Sequence, residues 1–150
     1  AAALSNRLII INDQPAFIIS SETERDDGQI YITQKDIREV QNAKAAIAAG
    51  VQILVEEAGY SFQEIDNVFL AGGFGNYMSI ESAIVTGLLP EELSGRISAV
   101  GNAAGSGAIY ALMSEKEFRN SSEIARKIRY IELSANADFV REYTENMLFA

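Results

Sequence analysis

The chain contains no cysteine and no histidine. These two absences remove disulfides, thiolate nucleophiles, cysteine-ligated iron–sulfur clusters, imidazole metal ligands and any Ser-His-Asp triad. Neither catalytic residues nor a metal site is therefore expected. Cationic side chains are scarce as well: 12 Lys and Arg stand against 21 Asp and Glu, a formal charge of −9. Affinity for nucleic acid comes largely from Lys and Arg displacing counterions, so the sign is wrong for a DNA or RNA partner. No apolar run approaches the roughly 20 residues that span a bilayer, and no signal-peptide pattern opens the sequence. The expectation is a chain without membrane contact, cytoplasmic in location, to which the lack of cysteine also conforms.

What is present fits a packed globular chain. Its 150 residues, 48% hydrophobic, suit one domain with a real core. The opening reads as β-structure: Leu8–Ile11, a turn at Asn12-Asp13-Gln14-Pro15, then Ala16–Ile19, with Gln29–Ile32 after an acidic link over Ser20–Gly28. Thr33-Gln34-Lys35-Asp36 is a capping box with Asp in place of Glu, and it opens a long helix ending near Gly59. Ile37, Val40, Ile47, Val51, Leu54 and Ala58 recur along that helix at three- and four-residue steps and form its expected core stripe.

Further on, Ser61–Glu64 repeats the capping pattern on a short turn before a strand at Val68–Ala71. Ser79 caps a helix to about Thr86, stopped by Gly87-Leu88-Leu89-Pro90. A strand at Ile97–Val100 leads to a helix through Ile109, Leu112 and Met113. After Asn120 the expected tail carries a short helix, an extended segment at Tyr130–Leu133 and an amphipathic helix with Phe139, Tyr143 and Met147 on one side. The order β-β-β-α-β-α-β-α plus a tail fits an α/β fold, ribonuclease-H-like as in one half of an actin-type ATPase. It would have a mixed sheet, helices on both faces and a C-terminal helical extension. The divisions expected within a single domain of residues 1–150 are an N-terminal β-hairpin and acidic loop over 1–28 and a tail over 120–150.

The features that carry chemistry are two glycine-rich turns, each directly after an apolar strand: Gly72-Gly73-Phe74-Gly75-Asn76 and Gly101-Asn102-Ala103-Ala104-Gly105-Ser106-Gly107. Glycine lets backbone amides approach a ligand, and open α/β sheets bind ligands beyond the carboxyl ends of their strands. Neither turn carries the Lys-Ser/Thr ending of a Walker loop or the G-x-G-x-x-G spacing of a dinucleotide fingerprint. Taken singly, each turn is explained by tight strand-to-helix geometry and close helix–sheet contact. The pair, on successive strands, favours a shared ligand crevice.

Lys44 sits roughly 40° from the middle of the apolar stripe, with Gln41 and Ala48 along the same border. Two readings stand: the methylenes lie on the core while the ammonium snorkels to water, or Gln41 and Lys44 face the crevice and bond a ribose or base. Tyr77 either stacks on a base or packs over the first glycine turn. The adjacent pairs Asp26-Asp27, Glu56-Glu57 and Glu91-Glu92 do not converge on one point and read as surface charge. The same holds for the basic cluster Arg126, Lys127 and Arg129. The face of Phe139, Tyr143 and Met147 reads as core, with partner docking as the other option.

Several motifs in order, Ile32-Thr33-Gln34-Lys35-Asp36-Ile37, Gln41–Ile47, Leu70–Tyr77, Gly87-Leu88-Leu89-Pro90 and Val100–Ala108, closely resemble the C-terminal part of the reductive activators of corrinoid proteins. The resemblance covers most of the chain from about Ile30 onward. It implies an origin in a larger protein with an upstream [2Fe–2S] ferredoxin domain and a two-lobed actin-like ATPase, in which ATP with Mg drives reduction of a Co(II) corrinoid protein to Co(I). The implied partners are a corrinoid protein and the ferredoxin domain of the same polypeptide, with a homodimer as a further option.

The helix with Gln41 and Lys44 resembles the adenosine-contacting helix of heat-shock chaperone ATPases, and Leu70–Gly75 their adenosine loop. Gln41 stands where the chaperones have an acidic residue and Phe74 where they have a small one. The resemblance thus implies a nucleotide-binding set of Gln41, Lys44, Gly72, Gly73, Phe74, Gly75, Asn76, Gly101, Asn102, Gly105 and Gly107. The Asp-x-Gly hairpins that hold phosphates and Mg in such ATPases have no counterpart: Asp13 precedes Gln14-Pro15, and Asp27-Gly28 lies in the acidic link. The expected chain is thus a lobe that does not hydrolyse ATP alone. A non-catalytic interaction module with structural glycine turns, and more remotely a small-molecule kinase lobe, are the competing expectations.

Overall fold

The computed structural model describes residues 7–20 and 30–149. It forms two compact units, Ala1–Ala43 and Lys44–Ala150. In the first, β1 (Leu8–Ile11), β2 (Gln14–Ser20) and β3 (Ile30–Thr33) make an antiparallel sheet in the order β1-β2-β3. Ile11 pairs with Gln14, so the β1–β2 loop is Asn12-Asp13 alone, both with positive φ (49° and 61°). Asn and Asp tolerate that region, and such a two-residue turn matches the strand twist. The turn is thus shorter than the sequence implies: Gln14 and Pro15 already belong to β2, where Pro15 is tolerated because it stands at the strand's start. Of the acidic link, residues 21–28, with Asp26 and Asp27, lie outside the described residues.

Helix α1 (Gln34–Glu57) begins at the anticipated box. Thr33 donates its backbone N–H (2.8 Å) and its hydroxyl (2.7 Å) to the Asp36 carboxylate, while Asp36 N–H donates to Thr33 Oγ1 (3.2 Å). These bonds favour the ionised carboxyl and hold Asp36 below its ordinary range. Gly59, at φ +78°, follows the helix end.

The face that α1 buries is not the expected stripe. Lys44, Ala45, Ala48, Ala49, Gly50 and Ile53 are buried, whereas Val40, Ile47 and Leu54 are exposed. Small side chains let neighbouring backbone and side chains come close. A Cβ on Gly50 would lie 3.6 Å from Leu133 Cδ1, ordinary van der Waals contact with the tail. Side-chain size misled the periodicity argument by one border of the helix.

In the second unit β4 (Val68–Ala71) and β5 (Ile97–Gly101) pair in parallel as a separate two-stranded sheet. Among the described residues the strands thus form two ladders, one antiparallel and one parallel, accompanied by helices as the α/β expectation has it. Between β4 and β5 the chain forms α2 (Gly72–Tyr77) and α3 (Ile80–Val85), the latter capped by Ser79 Oγ accepting from Ser82 N–H (3.2 Å). Ala83, Leu89 and Leu93 are buried here. Arg96, just before β5, donates to the carbonyls of Phe62 (2.9 Å), Gln63 (3.1 Å) and Ile65 (2.7 Å), tying the short Phe62–Glu64 turn to the strand entrance.

After β5 come α4 (Ala103–Met113), α5 (Glu115–Lys127) and α6 (Ala137–Glu145). Helix α5 starts before Asn120, where the sequence reading placed its tail helix. Ser114 caps it by accepting from Glu117 N–H (3.4 Å), and Ser114-Glu115-Lys116-Glu117 is a capping-box pattern that the reading passed over. The segment at Tyr130–Leu133 is irregular, held by Glu132, whose carboxylate accepts from Tyr130 Oη (2.5 Å) and from Ser134 N–H (3.1 Å).

Candidate functional site

The geometry begins with strand register. Val68 pairs with Ile97, Phe69 with Ser98, Leu70 with Ala99 and, past a register shift, Ala71 with Gly101. Parallel strands in this register end at the same edge, so both glycine turns leave the sheet side by side. Gly72 (φ +75°) and Gly101 (φ +61°) occupy the left-handed region, which carries a steric penalty for any residue with a Cβ.

Packing separates the remaining glycines. Among the described residues, chain neighbours and the helix's own backbone apart, nothing lies within 4 Å of the position a Cβ would take at Gly73 or Gly107, so neither shows the close helix–sheet contact of the packing explanation. Gly105 is different. Asn102 Oδ1 accepts its N–H (2.9 Å), and a Cβ there would come within 2.5 Å of Asn102 Nδ2. Asn102 and Gly105 are thus one device, a helix cap at the start of α4. Phe74, Gly75 and Asn76 belong to the backbone of α2. Tyr77 is 92% exposed and packs over neither turn.

Lys44 is 2% exposed, a charged side chain among the buried apolar core. Its ammonium donates to the backbone carbonyl of Leu148 and lies 5.1 Å from the centroid of the Phe149 ring. A Cβ on Gly87 would stand 3.1 Å from Nζ, so the absence of a side chain at Gly87 makes room for the ammonium. Burial pushes the Lys44 amine below the ordinary lysine range. The ammonium neither snorkels to water nor stands free: a neutral carbonyl and a ring hold it. Sequence reasoning could not find Leu148 and Phe149, which lie more than a hundred residues downstream. Gly87 was legible only as a helix stop. Gln41 lies on α1 within the first unit and is half-buried.

The exposed pairs Glu56-Glu57 and Glu91-Glu92 behave as surface charge. Arg129 donates to Glu57 O (3.0 Å) and pairs with its carboxylate (3.3 Å). Phe139 and Tyr143 stack at 6.2 Å on the half-buried side of α6. Among the described residues no group of three or more acidic side chains is arranged to hold a metal ion, and no helix is long and apolar enough to cross a membrane.

Comparison with known proteins gives this arrangement a context. Residues 2–150 match the family described as the C-terminal domain of RACo, the ASKHA domain. The chain is similar to a corrinoid activation enzyme, RamQ, of Eubacterium limosum, with 39% identity over 139 residues, 92% of this chain and 23% of that protein. It is also similar to a [Co(II) methylated amine-specific corrinoid protein] reductase of Methanosarcina barkeri, with 29% identity over 66% of this chain and 18% of that protein. Among solved structures, a reductive activator for a corrinoid, iron–sulfur protein superposes with a TM-score of 0.82 at 36% identity, covering 95% of this chain and 23% of that one. The chain spans about a quarter or less of the length of these relatives. By the extent of the match and the shared fold, it belongs to the family of C-terminal ASKHA domains of the reductive activators of corrinoid proteins.

Proposed function

We propose that this chain works as the C-terminal lobe of a longer, ATP-dependent activator that returns Co(II) corrinoid proteins to Co(I), and that it forms the adenosine side of the nucleotide site. The observation that supports this reading is the shared edge of β4 and β5, where each strand runs into a positive-φ glycine turn and nothing described crowds the Cβ positions of Gly73 and Gly107. A flat base or ribose fits a wall built of bare backbone, and the relatives' activities supply the class of reaction.

In this role Gly72–Asn76 and Gly101, Asn102, Gly105 and Gly107 border the nucleoside, while Gln41 and Lys44 belong to the set through the resemblance alone, the Lys44 ammonium being held by Leu148 and Phe149. When bound, ATP would supply the driving force for an uphill electron transfer. The phosphates and Mg fall in this reading to residues of the longer protein, the sequence here having a single Asp-x-Gly string, Asp26-Asp27-Gly28, within the acidic link. The cluster that delivers the electron also lies outside this chain, since the sequence has no cysteine. Redox partner and corrinoid protein are thus bound by the larger assembly.

Chemical-shift mapping with ADP tests the reading. Perturbations are expected at Gly72–Asn76, Gly101–Gly107, Gln41 and Lys44, and shifts confined elsewhere overturn it. The engagement of Lys44 by the Leu148 carbonyl favours a second reading, a non-catalytic interaction module whose glycine turns are structural. Calorimetry on the full-length activator that finds no nucleotide binding, together with intact corrinoid-protein binding, selects that module.

A further inference from the structure

The β4–β5 ladder is poorly equipped to hold its own register. It has four paired positions, and none of the residues in either strand is buried. Register is strongly specified where one face of a strand is buried and weakly where neither is, and parallel pairs are slightly weaker per residue than antiparallel ones. Both glycine turns nevertheless depend on it. Ala71 stands beside Gly101, one residue before Gly72, because Val68 stands beside Ile97 and the shift past Leu70 takes up one extra residue, Val100.

A fastening outside the ladder lies at its entrance. Arg96, immediately before β5, is half-buried, and its Nη1 reaches three carbonyls of the segment that leads into β4: Phe62 (2.9 Å), Gln63 (3.1 Å) and Ile65 (2.7 Å). Its main chain grips the same segment further on, the Arg96 carbonyl accepting from Val68 N–H (2.9 Å). One residue on the β5 side thus holds the approach to β4 at two places. Three carbonyls converging on one point suit a guanidinium, which is always charged and donates through a rigid fork. A slip of one residue would carry Arg96 about 3.3 Å along the ladder, so the three bonds could not be kept together.

We infer that Arg96 is a positioning residue for the glycine edge: bonded to the entrance of β4, it fixes the one β4–β5 register in which Gly72 and Gly101 leave the sheet level with each other. It acts through the strands and touches no ligand. The ladder is only four pairs long, so a pin at its entrance governs its exit. The expected effect on ligand affinity rests on the reading that this edge borders a nucleoside; the expected effect on the strands does not.

The test compares full-length activator with its variant Arg96→Met, which keeps the length of the side chain and removes its donors. Both are measured at a temperature where melting curves show them folded. Amide hydrogen exchange, resolved along the chain by fragmentation mass spectrometry, is expected to quicken at least tenfold over residues 69–71 and 98–101, which reach the end of the ladder away from the substitution. Titration calorimetry is expected to show ADP bound about tenfold more weakly. Faster exchange confined to residues 62–68 means that Arg96 fastens only the short turn, and it overturns the inference. Exchange quickened equally across α1 and α5 marks a general loss of stability and overturns it too, as does unchanged ADP affinity in a variant whose ladder end has opened.

Should Arg96→Met fail to fold, Arg96→Lys, which keeps the charge and loses the fork, answers the same question. The same pattern at smaller size supports the pin, and wild-type exchange over residues 98–101 sinks it. A full-length protein that binds no ADP, yet opens at residues 98–101 on Arg96→Met, refutes the nucleotide reading and leaves the pin in place.

Discussion

The two glycine turns leave neighbouring strands at one edge, yet they are built differently. The first passes from β4 into α2 with no residue between, Gly72 both ending the strand region and opening the helix. The second inserts Asn102, whose side chain fills the space over Gly105 to cap α4. One turn thus keeps bare space, above Gly73, while the other spends part of its own on a structural bond. A glycine's place in the sequence does not reveal its duty. The duty depends on whether backbone angle, a neighbour's side chain or nothing at all occupies the position of the missing Cβ.

The strongest way to break the comparison is at the feature both turns share. Gly72→Val and Gly101→Val are each expected to lower stability by about 1–2 kcal/mol or more, because a β-branched residue is forced to positive φ. Thermal unfolding reads the loss, and similar melting temperatures would show that the backbone relaxes. Next comes the device found in only one turn. Asn102→Ala and Gly105→Ala are each expected to cost about 1 kcal/mol, and the double variant little more than either alone, since both remove the same cap. Full additivity in a denaturant-melt cycle would separate them.

The sharpest contrast lies at the open positions. Gly107→Ala, inside a helix and facing empty space, is expected to stabilise by about 0.5–1 kcal/mol. Gly73→Ala should leave stability nearly unchanged while weakening ADP binding to full-length protein about tenfold, or about 1.4 kcal/mol. Calorimetry that finds unchanged affinity would return both turns to a packing role.

The smallest effect is expected at a helix start outside either turn. The carboxyl of Asp36 is held low by Thr33, so its contribution is full above the unfolded value of 3.8 and fades as pH falls through the folded one. Asp36→Asn should therefore remove a small increment at pH 7 and none once both forms are protonated, as paired melts at pH 7 and pH 2 would reveal.

Local chemistry made much of this legible. The Thr33–Asp36 box, the Ser79 cap, the glycine stops and both strand-to-helix turns each depend on residues within a few positions of one another. The buried face of α1 was less legible, because periodicity weighs large apolar residues while packing here selects Ala45, Ala48 and Ala49. A stripe of Val40, Ile47 and Leu54 identifies a helix correctly and still names the wrong side. The shared edge of the two turns was legible in their glycines, and the partners of the lysine were not. Nothing near Lys44 announces that its acceptor is the Leu148 carbonyl, because that pairing is made by the chain's return across the unit rather than by any local pattern.

That return has an engineering consequence. Lys44 is the first residue of the second compact unit and Leu148–Phe149 are close to its last, so the ammonium clasps the unit's two ends together. Chains whose ends meet tolerate circular permutation. A short linker from residue 149 back to residue 44, with new ends opened in the exposed stretch around Ser134–Ala135, should preserve the glycine edge and free the unit from the antiparallel sheet that precedes it.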